Sequence, residues 1–207
     1  MTVTRAHYYE LVKSKARELR DVHGLTSAKV TLTDIRKIYR ANGIKIDYWP
    51  GTFKNVRGQY VNNEDGACVM VSKKLPPEQR IFTLAHELKH HFFDQAESRL
   101  ATEKEPLEIA AELFAVELIF PDQDYIAWFE ARGAKPGSCT AETIVRLKHE
   151  TQTTLSYASL AKRAEYLGFA AKSSLPKSGW HRLRDSIYGE PIHKRIQRIK
   201  KARQGRK

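Results

Sequence analysis

The sequence predicts an α+β domain with a small antiparallel sheet. Three observations lead there. Helical periodicity dominates both ends of the chain, period-two alternation is confined to residues 44–72, and a turn-forming "NNEDG" joins two of the alternating runs.

Residues 5–23 read as the first helix. Tyr8, Leu11, Ala16 and Leu19 fall roughly on one side, and Gly24 ends it. "TLTDIRKIYRANG" (residues 31–43) follows the same logic: Thr31 or Thr33 caps, Ile35, Ile38 and Tyr39 face inward, and Gly43 stops the helix. "IKIDYWP" then alternates apolar and polar residues, the pattern of a half-buried strand. A hairpin follows, with residues 59–61 incoming, "NNEDG" as the turn and residues 67–72 outgoing.

"LPPEQ" opens the next helix, with proline where no amide hydrogen bond is lost, and the helix runs to about Gln95. "SRLATEKE" is a polar connector. "PLEIAAELFAVELIF" is another helix, stopped before Pro121. Two helices are expected near 122–131 and 141–150, "TQTT" is a short turn, and "LSYASLAKRAEYLG" is a further helix closed by Gly168. After Ala171 the composition shifts to Ser, Pro, Gly and Lys, which sets a boundary there.

The 207 residues carry a net charge of +12, unevenly spread. Residues 172–207 hold 12 Lys/Arg against two acids, leaving +2 for the remaining 171 residues. Only this tail argues by charge for an anionic partner. No run approaches the roughly 18 apolar residues of a membrane span. The first twenty residues lack the apolar core of a secretory signal. Two cysteines, Cys68 and Cys139, make no disulfide framework and read as packing residues. The expected location is cytoplasmic.

The chemistry is concentrated in "FTLAHELKHHFFD" (residues 82–94), where His86, Glu87 and His90 spell H-E-x-x-H. Residues four apart on a helix lie one above the other, so both imidazoles can bind one metal ion. Glu87 is rotated beside them, where a carboxylate can reach water that zinc brings to a pKa of about 7. It can take that water's proton and pass it to a departing amine. The flanking Ile81, Leu84, Ala85, Leu88, Phe92 and Phe93 mark a buried helix. Buried His and Glu need partners, and a metal ion supplies one. A catalytic zinc takes three protein ligands. The nearest helix offers Glu108 and Glu112 on one face as the third ligand. Glu117 reads as part of a solvated acidic face.

"FTLAHELKHHF" followed by "LEIAAELFAVELIFP" resembles the ImmA/IrrE family of zinc metallopeptidases over roughly residues 5–170. The family shows a Thr-Leu-Ala-His-Glu-Leu-Gly-His helix and, about twenty residues on, a Glu-x-x-Ala-x-x-Phe-Ala-x-x-Leu-Leu-x-Pro helix. Glu108, Ala111, Phe114, Ala115, Leu118, Ile119 and Pro121 match the second pattern in register. The resemblance implies a zincin-like metallopeptidase core at 1–121, with His86, His90 and Glu108 binding Zn2+ and Glu87 as the catalytic general base and acid. A helical extension at 122–171, with a helix-turn-helix-like pair at 141–168, and a basic tail at 172–207 complete the expected layout. Lys89 stands where the family often has Gly, and Glu112 where it often has Asn. Asp94 stands where a His is frequent, and reads either as a support for a ligand or as an exposed acid. His91, about 100° off the ligand face, reads as a surface or supporting histidine.

The resemblance also implies a cytoplasmic peptidase, often encoded by mobile elements, that relieves transcription by cutting a helix-turn-helix repressor. "ACVMVSK" could be a sheet edge that pairs with an extended substrate, or an ordinary interior strand. The alternative function is a catalytically idle zinc-binding regulator, or an antitoxin-like protein, acting by protein or DNA binding. The pair at 141–168 has the form of a DNA-reading unit but is equally ordinary packing, with scaffolding or repressor docking as its role. In the tail, Ile192, Ile196 and Ile199 recur at helical spacing among bases. That suits non-specific nucleic-acid contact or an acidic partner, or else a solubilising tail. The stripe lacks the bulky aromatics of a membrane-surface helix.

Overall fold

A computed structural model describes residues 4–51, 57–97 and 104–191, with the backbone alone at 94–97 and 104–106. The chain divides into two compact units: residues 1–131 with 151–156, and residues 132–150 with 157–207.

The first unit contains α1 (Arg5–His23), α2 (Leu32–Ala41), β1 (Lys45–Trp49), β2 (Gly58–Asn63) and β3 (Gly66–Ser72). It continues with α3 (Pro77–Glu97), α4 (Lys104–Ile119) and α5 (Asp122–Glu130). Helix α1 ends as its sequence dictates. Gly24 takes the left-handed conformation (φ 66°), and its N–H reaches back to the carbonyls of Arg20 and Asp21. Of the two candidate threonines, Thr33 lies inside α2 and Thr31 is the cap. Its hydroxyl accepts from the Asp34 N–H, and the Asp34 carboxylate accepts from the Thr31 N–H at 2.9 Å.

The sheet is mixed, which corrects the antiparallel expectation. The strand order is β1-β3-β2; β2 and β3 form the predicted antiparallel hairpin, while β1 runs parallel to β3 from Lys45↔Cys68 to Trp49↔Ser72. The reason lies in burial. Val69 and Val71 of β3 are fully buried, so β3 takes the centre and its neighbours fall to the two edges. Trp49 and Gly58 both lie at the Ser72 end of β3, so β2 starts at the end where β1 stops and runs in the opposite direction. The strand "ACVMVSK" is therefore interior, and β1 and β2 are the edges.

Alternation gives the sheet two faces. Ile46, Tyr48, Val69, Val71, Gly58 and Tyr60 share the face against which α2 and α3 pack. The opposite face carries the exposed Lys45, Asp47 and Gln59. Helix α4 packs against α1 and α3, burying Ala110, Ala111, Phe114, Ala115 and Leu118.

Charged residues fasten these helices. The buried Arg20 donates from Nη1 to the carbonyls of Leu118 (2.8 Å) and Ile119 (3.2 Å), and from Nη2 to that of Ser27 (3.1 Å). It thereby satisfies carbonyls that the end of α4 leaves without helical partners. Glu117 is not on a solvated face. It is 1% exposed, pairs with Arg17 at 2.8 Å and accepts the Asp122 N–H at 3.0 Å, which caps α5. Residue type suggested solvent, but the position lies on the side of α4 that α1 covers.

The second unit holds α6 (Ala141–Thr151), α7 (Tyr157–Tyr166) and α8 (Trp180–Tyr188). Helix α8 lies within the stretch read as tail. Trp180 is buried and stacks on Tyr157 (centroids 5.6 Å, 13°), and Tyr188 stacks on His149 (3.8 Å, 11°). The isoleucine stripe at 192–199 lies outside the described residues.

Candidate metal centre

The polar side chains of α3 divide by helical position. His86 and His90, one turn apart, turn toward α4, with ring centroids 5.4 Å apart. Glu108, in the first turns of α4, meets them there: His86 Nε2 and Glu108 Oε2 are 3.3 Å apart. Ligand atoms of His86, His90 and Glu108 all lie within 4.8 Å of one another, the only such grouping of His, Cys, Asp and Glu among the described residues. Glu112, one turn beyond Glu108, is near enough to act on His86 through its charge but is not in the cluster.

These donors fit zinc. Zinc–nitrogen and zinc–oxygen distances near 2.1 Å in a tetrahedron put ligand atoms about 3.4 Å apart. The His86–Glu108 separation already has that value, and two imidazoles with one carboxylate match a catalytic donor set. Burial, and then the neighbouring His90, lower the His86 pKa below its ordinary value, against the opposing pull of Glu108 and Glu112. That favours the neutral imidazole, the form that ligates. Glu108 is largely exposed, with its side chain at 64%, so the cluster opens to solvent on the α4 side.

Glu87 reaches β2. It is 7% exposed, and its Oε2 accepts the Tyr60 N–H of β2 at 3.0 Å. His91, one turn further along α3, is half-buried, and its Nδ1 lies 3.0 Å from the Tyr60 hydroxyl in a hydrogen bond. Burial lowers its pKa. Behind Glu87, the buried Tyr39 hydroxyl donates to the Leu84 carbonyl at 2.8 Å. Burial, then the Glu87 charge, raise that hydroxyl's pKa well above its usual value. Lys89 is fully buried, with its ammonium 6.0 Å from the Tyr8 ring of α1. The Asp94 side chain lies outside the described residues.

Sequence reasoning missed the part played by β2. The tie to Glu87 runs through a backbone amide, which no residue type encodes. The Tyr60–His91 bond joins residues 31 apart, and only the alternation of Tyr60 toward the helical face hinted at it.

The α+β fold thus brings two histidines and a glutamate together in a candidate metal site, and the helix that bears both histidines also carries the buried Glu87. The chain belongs to the Peptidase_M78 family, whose IrrE N-terminal-like domain matches residues 40–163. No curated protein sequence matches it. Among solved structures, a Mycobacterium tuberculosis transcriptional regulator is similar in fold, with a TM-score of 0.54 at 15% identity. The match covers 78% of this chain and 50% of that one, so this chain spans about half the length of that protein. No helix among the described residues is long and apolar enough to cross a membrane.

Proposed function

We propose that the chain is a zinc-dependent endopeptidase that cuts a helix-turn-helix repressor in the cytoplasm, and so acts as an anti-repressor. One observation carries the reading: His86, His90 and Glu108 converge within 4.8 Å, and the buried Glu87 follows His86 on the same helix. Family membership supports the peptidase class, and the solved neighbour named a transcriptional regulator supports the regulatory setting. The peptidase core is assigned to residues 1–121, scaffolding or repressor docking to the helices at 122–171, and non-specific nucleic-acid contact to the basic tail at 172–207.

His86, His90 and Glu108 would hold the zinc, which would supply Lewis acidity for the scissile carbonyl and for water. The protein's own part falls to Glu87. Its carboxylate takes a proton from the attacking water as the new C–O bond forms. As the C–N bond breaks, the same carboxyl hands that proton to the departing amine. The Tyr60 N–H donates to one of the carboxylate oxygens at 3.0 Å and so orients the group. Helix packing around α3 excludes bulk water from the inner side of the site.

The test is Glu87→Gln. The variant should keep zinc and fold while cleavage falls by about a hundredfold to ten-thousandfold, the usual effect of losing a positioned general base. The substrate for the test is a helix-turn-helix repressor, co-expressed with this chain and examined by mass spectrometry for a single cut. Undiminished cleavage by the variant removes Glu87 from the mechanism. The solved neighbour's regulatory title favours a second reading, an idle zinc-binding or antitoxin-like regulator acting by protein or DNA binding. Derepression in cells that survives Glu87→Gln selects that reading.

A further inference from the structure

The hairpin register fixes where the β2 amides point. Asn63↔Gly66 closes the turn, so residues 59, 61 and 63 exchange hydrogen bonds with β3, and the Tyr60 N–H faces away from the sheet. A partly buried amide in that position needs an acceptor. Glu87 Oε2 provides it at 3.0 Å.

Two residues earlier, on the same face, stands Gly58. Its φ is outside the left-handed region, so the backbone does not demand glycine there. Space does. A Cβ at Gly58 would lie 2.6 Å from Thr83 Cγ2, 3.1 Å from Glu87 Oε1 and 3.2 Å from the Met70 carbonyl oxygen. Thr83, Glu87 and His91 are spaced by four and form one stripe of α3. That stripe rests on β2 at three points: Thr83 and Glu87 on Gly58, Glu87 on the Tyr60 amide, and His91 on the Tyr60 hydroxyl.

We propose that Gly58 is a positioning residue for Glu87: its missing side chain lets β2 approach α3 closely enough for the Tyr60 amide to bind and aim the carboxylate. The inference rests on the reading of Glu87 as the general base. A methyl group at residue 58 pushes Thr83 and Glu87 away from β2 together, lengthening the Tyr60 bond and turning the carboxylate off its line.

The experiment compares the parent, Gly58→Ala and Gly58→Ala/Thr83→Ser, with the same repressor as substrate. A misplacement of about 1 Å costs on the order of a hundredfold in rate. Gly58→Ala should lose about that factor in kcat while KM and zinc content stay near the parent values. Thr83→Ser removes the 2.6 Å contact and leaves the 3.1 Å one. The double variant should therefore regain thermal stability without regaining kcat. Recovery of kcat in the double variant overturns the proposal, because Gly58 then serves only to make room for Thr83.

A second readout needs no cleavage. The Tyr60 amide should be protected from hydrogen exchange in the parent, and lose protection in both Glu87→Ala and Gly58→Ala. An amide indifferent to Gly58→Ala refutes the positioning role. If the amide responds as expected but the parent cuts nothing, the geometry stands and the peptidase reading fails.

Discussion

Zinc added to the metal-free protein should raise its melting temperature, and the rise should depend on three named donors. The structure sets the scale. The three ligand atoms lie within 4.8 Å of one another, and one pair is already at 3.3 Å. A tetrahedral zinc needs separations of about 3.4 Å. The gap that remains, in the pairs that include His90, is at most about 1.4 Å (4.8 Å less the 3.4 Å that zinc needs), the scale of a side-chain adjustment. Binding energy is then not consumed in building the fold, and appears as stabilisation of the folded state. At free zinc a hundredfold above Kd, that stabilisation is about 2.7 kcal/mol. For a chain of 207 residues, each kcal/mol moves the melting temperature by about 2–4 °C. The expected rise is thus about 5–11 °C, reversed by a chelator, with about one zinc per chain by elemental analysis. His86→Ala and His90→Ala should abolish the rise. Glu108→Ala should shrink it, and Glu112→Ala should leave most of it. A full rise in His90→Ala, or a greater loss in Glu112→Ala than in Glu108→Ala, refutes the ligand assignment.

Two further outcomes follow from the packing and the charge. Arg20→Met keeps the bulk of the stem but removes three hydrogen bonds from a buried cation, leaving the Leu118 and Ile119 carbonyls without that donor. The loss should be about 1.5–3 kcal/mol, read as a lower melting temperature, and an unchanged melt would show that these carbonyls find other donors. Removing residues 192–207 deletes eight Lys/Arg and no acid, while sparing the Trp180–Tyr157 stack. DNA affinity across a salt series should then flatten, each lost phosphate contact removing about 0.9 from the slope; equal slopes for both proteins would leave the tail without a nucleic-acid role.

What the sequence made legible was local. Thr31 and Gly24 bound their helices because a cap needs one hydroxyl or one left-handed residue within reach. The hairpin followed from its turn, and the one-turn spacing of His86 and His90 from helical geometry alone. The β1 pairing was not legible in that way. Parallel or antiparallel placement depends on which strand the core claims for its centre, and that is a property of the assembled layers. Glu117, Arg20 and Lys89 were obscured for a related reason. Charged residue types signal solvent, and only the tertiary partner tells that a position is enclosed. Glu117 has Arg17 and the Asp122 amide, while Arg20 has the terminal carbonyls of α4.

The surroundings of α3 explain how one helix carries so many polar groups. Its polar side chains meet three neighbours, β2, α4 and α1, each through a different set of residues. The stripe of Thr83, Glu87 and His91 meets β2. His86 and His90 meet Glu108 of α4. Lys89 and Phe93 meet Tyr8 of α1, the first through its ammonium and the second edge-on at 6.3 Å. Successive residues of a helix are turned by about 100°, so adjacent letters of H-E-x-x-H necessarily answer to different neighbours. His86 can serve a metal only if α4 is close, and Glu87 can be aimed only if β2 is close. Lys89 fills the α1 side, where glycine in this position would leave a gap. The motif's chemistry therefore depends on three packing partners at once, and a defect in any one should disturb one function of α3 before the others. Loss of α4 contacts should release metal with Glu87 still held; loss of the β2 approach should misdirect Glu87 with metal still bound.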